Sequence, residues 1–170
     1  MSMGGSDLVP GRLIAGVGNE GGQLQTVEMQ RDDHLVSELL YGQAQPLCGS
    51  GLDDAKLIQI AKTEFADRAF CIVRNWMILD IMLPDNELQK VVAAGQHPIV
   101  LLAHEVTYDS QPSQPCQAPL VTGYGEDLYG CFFEAGPKMY VLAGRGARRY
   151  AAKPALVALE QMTTEAYAYG

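Results

Sequence analysis

The stretch that most limits what this chain can become is residues 120–149, LVTGYGEDLYGCFFEAGPKMYVLAGRGARR. Two short apolar segments, 129–133 and 139–143, flank Glu134-Ala135-Gly136-Pro137-Lys138. Glycine and proline between two β-prone runs predict a β-hairpin, because they take up turn dihedrals that strand residues avoid. The second segment runs directly into Gly144-Arg145-Gly146, followed by Arg148 and Arg149. The densest positive charge is therefore expected to leave the sheet through a glycine-rich turn.

A lone hairpin is barely stable in water and needs further strands and a cover. Residues 70–83, FCIVRNWMILDIML, supply one strand, rich in Ile, Val, Phe and Trp and stopped by Pro84. Strict alternation puts Phe70, Ile72, Arg74, Trp76, Ile78 and Asp80 on one face and Cys71, Val73, Asn75, Met77, Leu79 and Ile81 on the other. A turn at Arg74-Asn75 would instead split the run into two strands. After His97-Pro98, IVLLAHEVTYDS is nearly continuous in apolar residues at first, which predicts a central strand that opens to solvent by Glu105. Residues 110–119 contain Pro112, Pro115 and Pro119, cannot form a ladder, and read as a loop long enough to ask what it does.

Helices are expected on either side. Asp53 and Asp54 open a helix to about residue 67 with Leu57, Ile58, Ala61 and Phe65 on one face. A short helix follows Asp32-Asp33 and closes at Gly42, another spans 87–94 before Gly95, and a last one runs from Pro154 to about residue 166 with Leu156, Val157, Leu159 and Met162 as its apolar stripe. Residues 1–30 read as an irregular glycine-rich arm with one short strand over 23–29, and 46–51 as a loop. The expected architecture is α+β: a single domain over 31–170, with a mainly antiparallel sheet over 70–143 and helices 53–65 and 154–166 packed on one face.

Charge narrows the function. Twenty acidic residues against twelve basic ones give a net charge of −8, which weakens attraction to phosphate backbones and makes nucleic acid an unsuitable partner. No apolar run is long enough for a membrane helix and no secretory signal opens the chain, so no membrane association and a cytoplasmic location are expected. Cys48, Cys71, Cys116 and Cys131 are widely spaced with no CxxC pair, so they read as structural thiols, with no metal and no cofactor expected.

Acid–base candidates are few. His104 lies among Val100, Leu102, Val106 and Tyr108 and is expected to be a hydrogen-bonded core residue; Asp109 falls on the opposite strand face, so His104, Asp109 and Ser110 do not make a triad. Asp80, Glu105, Asp109 and Glu134 stand on or beside strands and could converge on a divalent ion, though no close acidic pattern supports this. The turn at 144–149 is not a Walker A loop. It could still hold an anion through Arg145, Arg148 and Arg149, with Glu134, Asp109 or His104 as acid or base, and that enzyme or small-ligand reading is the alternative. The favoured expectation, from the acidic surface and the lack of a catalytic motif, is a non-enzymatic protein that binds another protein, with a homodimer as a further option.

WMILDIMLP, HPIVLLAHEVTYDS and CFFEAGPKMYVLAGRGARR together resemble a family of small uncharacterised proteins from bacterial genomes and their prophages. The resemblance covers 76–149 and rests on Trp76, Asp80, Asp109, Ser110, Phe133, Glu134, Tyr140, Gly144, Gly146 and Arg148. The chain departs from that pattern at Val121-Thr122-Gly123 and at Ala135. The resemblance implies a bacterial or phage origin and an accessory, inhibitor or immunity-type role, and it carries no activity.

Overall fold

In the computed structural model, residues 20–113 and 115–169 are described, so the glycine-rich segment 1–19 lies outside the described residues. From Glu20 the chain is helical: α1 spans Glu20–Tyr41, and the strand expected over 23–29 is helix instead. The C-terminal half of α1 buries Val36 and Leu39 in a core shared with the C-terminal helix. The other elements are β1 (Gln45–Cys48), α2 (Asp54–Glu64), β2 (Ala69–Met82), α3 (Asp85–Ala93), β3 (Ile99–Asp109), β4 (Leu120–Val121), β5 (Asp127–Tyr129), β6 (Phe132–Ala135), β7 (Lys138–Leu142), β8 (Arg145–Ala152) and α4 (Lys153–Ala168). Asp53 caps α2, its carboxylate accepting from Lys56 N at 2.9 Å. Pro154 sits in the first turn of α4, where its missing N–H costs nothing. That helix buries Ala155, Leu156, Ala158, Leu159 and Thr163, leaving Val157 and Met162 of the expected stripe exposed.

β2 is the hub. β3 pairs with it antiparallel along nearly its whole length, while its other edge takes β7 at residues 69–73 and β8 at 76–82, both parallel. The fold is α+β with a mainly antiparallel sheet, as expected; the sheet is mixed because β7 and β8 run parallel to β2. The cause lies at Gly144: with φ +70 it bends the chain without reversing it, so β8 carries on in the direction of β7. β2 bends at the matching level, where Asn75 has φ 49, a left-handed conformation that asparagine tolerates better than most residues. That residue resets the alternation. Cys71 and Val73 share one core cluster with Trp76 and Ile78, which strict alternation had placed on opposite faces, and the strand does not split.

Of the segment 144–149, expected to be a turn, Gly144 alone is a bend and 145–149 is strand, lying between β2 and an edge strand, β1, formed from part of the expected loop 46–51. Gly146 is needed for a close approach rather than a turn. A Cβ there would lie 2.3–2.4 Å from ring atoms of Trp76, whose indole Nε1 donates to Ala143 O at 3.1 Å.

Residues 120–129 close the sheet into a ring. The first half bonds to β3, through Thr122 N to Leu101 O at 3.0 Å and Gly125 N to Ile99 O at 2.7 Å; the second half bonds to β6, starting with Glu126 N to Glu134 O at 2.7 Å. Inside the ring are Phe133, Trp76, Ile78, Leu101, Cys71 and Leu142. Outside it the helices pack on one face as expected: α1 and α4 over Leu79, Ile81, Val100 and Leu102, and α2 over Phe70, Ile72, Met139 and Val141.

Candidate functional site

The residues expected to form an anion site do not come together. Arg148 is held by Asp80 in a two-pronged pair, Nε to Oδ2 and Nη2 to Oδ1, both at 2.7 Å. Arg149 donates to carbonyls at and just beyond the end of α1, to Glu38 O at 2.9 Å, to Leu39 O, and to Gln43 O at 2.8 Å. Arg145 is exposed on β8 opposite Cys48. Glu134 pairs with Arg68 at 2.6 Å, and Glu105 accepts from Asn75 at 2.5 Å. Three of the four acids that might have gathered round an ion, Asp80, Glu105 and Glu134, are therefore held by three different partners. His104, expected in the core, is exposed, because the fully buried stretch of β3 ends at Ala103.

Asp109 is the exception, and a site is built around it. Across the sheet, Cys71 on β2 has Asp109 of β3 and Tyr140 of β7 as its Cα partners, and Lys138 begins β7. The proline-rich loop then lays Cys116 over them. Asp109 Oδ1 accepts from Gln111 N at 2.8 Å; Oδ2 accepts from Cys116 N at 2.6 Å and from Lys138 Nζ at 2.9 Å, and lies 3.3 Å from the Cys71 sulfur, whose one proton it shares with Cys116. The two sulfurs, 45 residues apart in sequence, are 3.0 Å from each other, and Lys138 Nζ donates to Cys116 Sγ at 3.3 Å. Side chains of Lys138 and Asp109 are only 12% and 7% exposed, so this ion pair is shielded from water.

Proximity sets the charges. The hydrogen bond from the Cys71 thiol lowers the Cys116 pKa, and the Lys138 ammonium lowers it further, outweighing burial. The same bond, with burial, pushes Cys71 far up, so of the two thiols Cys116 is the one that gives up its proton more readily. Burial works against the charge on Asp109, but the two backbone N–H groups, Lys138 and Cys71 overcome it and hold the carboxyl well below its usual range. Lys138 likewise loses by burial and gains more from Asp109 and Cys116, ending above its usual value. Burial keeps the neighbouring Tyr140 phenol neutral.

One sulfur of Cys71, one oxygen of Asp109 and one sulfur of Cys116 lie within 4.8 Å of one another, close enough to share a metal ion. Lys138 already places a positive charge on two of these three atoms, Asp109 Oδ2 and Cys116 Sγ. The donor set therefore fits a dithiol with a fixed cation better than a metal centre.

Asp109 was identifiable as a candidate from the sequence, but Cys71, Cys116 and Lys138 were not. The one sequence signal near them was the length of the loop that carries Cys116. Compared with known proteins, residues 48–158 match a family described as Domain of unknown function (DUF6957). No curated protein and no solved structure is significantly similar.

Proposed function

Since the chain belongs to the DUF6957 family, whose function is unknown, we propose from the site itself that it is a thiol switch, in which Cys71 and Cys116 pass between a dithiol and a disulfide. The observation that carries this reading is the 3.0 Å contact between the two sulfurs beside the Lys138 ammonium. Cys116 lies on the loop between β3 and β4, whereas Cys71 lies in the central strand. Closure would tie the loop 110–119 to β2. In a buffer of reduced and oxidised glutathione, Cys71 and Cys116 should lose their free thiols together and without bound glutathione, whereas any loss at the exposed Cys48 should appear as a glutathione adduct, as read by alkylation and peptide mass. If Cys71 and Cys116 remain fully alkylatable after unfolding from the most oxidising buffer, the reading fails.

A protein-binding role, as an accessory, inhibitor or immunity-type factor of bacterial or prophage origin, is the second reading. It is favoured by Tyr41, Tyr150 and Met82, exposed at 83%, 77% and 57%. Met82 and Tyr150 line one shallow cleft with Leu35, Leu39 and Arg149, and aromatic and Met surface of this kind is typical of contact sites. A photo-crosslinking residue at position 150 should give one discrete adduct in cells, lost on Met82→Asp. Uncrosslinked chain alone would count against a partner, and a doubled mass would identify it as a second copy.

A further inference from the structure

The geometry of the thiol centre also fixes an order of events and gives Lys138 a part in it. Cys71 is fully buried, so no outside disulfide can reach it, whereas Cys116 is partly exposed on its loop. Cys116 must therefore react first. We propose that Lys138 is a positioning residue that serves the two sulfurs in turn, steadying the charge on Cys116 before it attacks a low-molecular-weight disulfide and the charge on Cys71 afterwards. This rests on the thiol-switch reading.

In the first step the Cys116 thiolate attacks one sulfur of the small disulfide, the S–S bond breaks, and the released thiolate takes a proton from water; Cys116 is left as a mixed disulfide. In the second, Cys71 gives up its proton to solvent and attacks the sulfur of Cys116, which lies 3.0 Å away. The bond between Cys116 and the small thiol breaks and the second thiolate leaves. One small disulfide is reduced to two thiols, and the two protein thiols are oxidised to one disulfide.

The second step is where Lys138 matters most. While Cys116 carries a charge it holds the proton on Cys71; once Cys116 is in a mixed disulfide that charge is gone. Of the groups facing Cys71, the Asp109 carboxylate from β3 still opposes a negative sulfur, the Tyr140 phenol of β7 is neutral, and Lys138 favours it. Lys138 Nζ and Cys71 Sγ both bond Asp109 Oδ2, so the ammonium stands one atom away from the second sulfur as well as beside the first. Tyr167 of α4 holds the loop from its other side, its hydroxyl bonding Gln117 O at 2.8 Å and also Pro119 O, which keeps Cys116 near Cys71 between the two steps.

The test uses oxidised glutathione on the full chain, with acid quenching and mass analysis over time. The native chain should reach the internal disulfide with little adduct on the way, and Cys71→Ser should stop at one glutathione on Cys116. Lys138→Met should slow both steps by about tenfold to a hundredfold, the range expected for losing a charge-assisted contact, so that the adduct accumulates, and Lys138→Arg should restore the native course. The pH midpoint for alkylation of Cys116 should rise in Lys138→Met and return in Lys138→Arg. A folded Lys138→Met with native kinetics and midpoint overturns the role of Lys138 while leaving the switch standing; no thiol loss in the native chain overturns the switch itself. Should Lys138→Met not fold, the native chain still decides: an alkylation midpoint for Cys116 at the free-thiol value of about 8.5 overturns the proposal, and one well below it supports it.

Discussion

Phe133→Ala should lower the unfolding free energy by about 3 to 5 kcal/mol, the usual cost of removing a fully buried phenylalanine. Phe133 is 0% exposed and fills the ring from β6. Its ring centroid is 6.3 Å from that of Tyr140, and its edge packs so closely on the backbone of Gly125 that a Cβ there would come within 2.8 Å of it. Gly125 lies where the closing segment passes from β3 to β6, so the cavity would open at the seam of the ring. Denaturant unfolding measures the loss directly, with an unchanged slope if the same surface is exposed in both proteins. A loss under about 1 kcal/mol would mean that the ring is not packed around this side chain.

Asp109→Ala should be about as severe, again about 3 to 5 kcal/mol, because it takes the shared carboxylate acceptor from the shielded Lys138 ammonium and the Cys71 thiol. It also removes the acceptor for Gln111 N and Cys116 N, which anchors the start and the middle of the loop. The sign of the pH dependence follows from the two shifts. The folded-state pKa of Asp109 is lowered, so its contribution is present above the ordinary carboxylate value of about 4 and fades as pH falls toward the folded value. That of Lys138 is raised, so its contribution is present below about 10.4 and fades only as pH rises toward the folded value. The gap between native and variant stability should therefore narrow as pH falls below about 4. A gap that widened on acidification would contradict the arrangement seen around Asp109.

Local signals in this chain were legible where a residue's neighbours in sequence are also its neighbours in space. The 132–142 hairpin, the Asp53 cap, the stop at Pro84 and the first-turn Pro154 all belong to that class. The failures were non-local. Gly144 and Gly146 looked like a turn because glycine permits one, but the first only bends the chain and the second makes room for Trp76, 70 positions away in the paired strand. Alternation was correct on each side of Asn75 and wrong across it, since a single left-handed residue in mid-strand leaves no periodic trace. The arginines looked available for a ligand because Asp80 and the end of α1, their partners, are far away in sequence. The thiol centre was hidden for the same reason: it takes one residue each from β2, β3, β7 and a loop.

The pairing of β2 also sets a timetable for synthesis. β2 and β3 can pair as soon as residues 69–109 have been made, but the second edge of β2 waits for residues 138–152. At about 5 to 20 residues per second, the ribosome needs a few seconds more to deliver β7 and β8. Through that interval one of the most apolar strands of the chain presents an unpaired edge, the kind of edge that recruits other chains. Folding to completion is thus tied to the translation of residues 138–152, and a message truncated before Lys138 would yield a product whose central strand lacks its parallel neighbours.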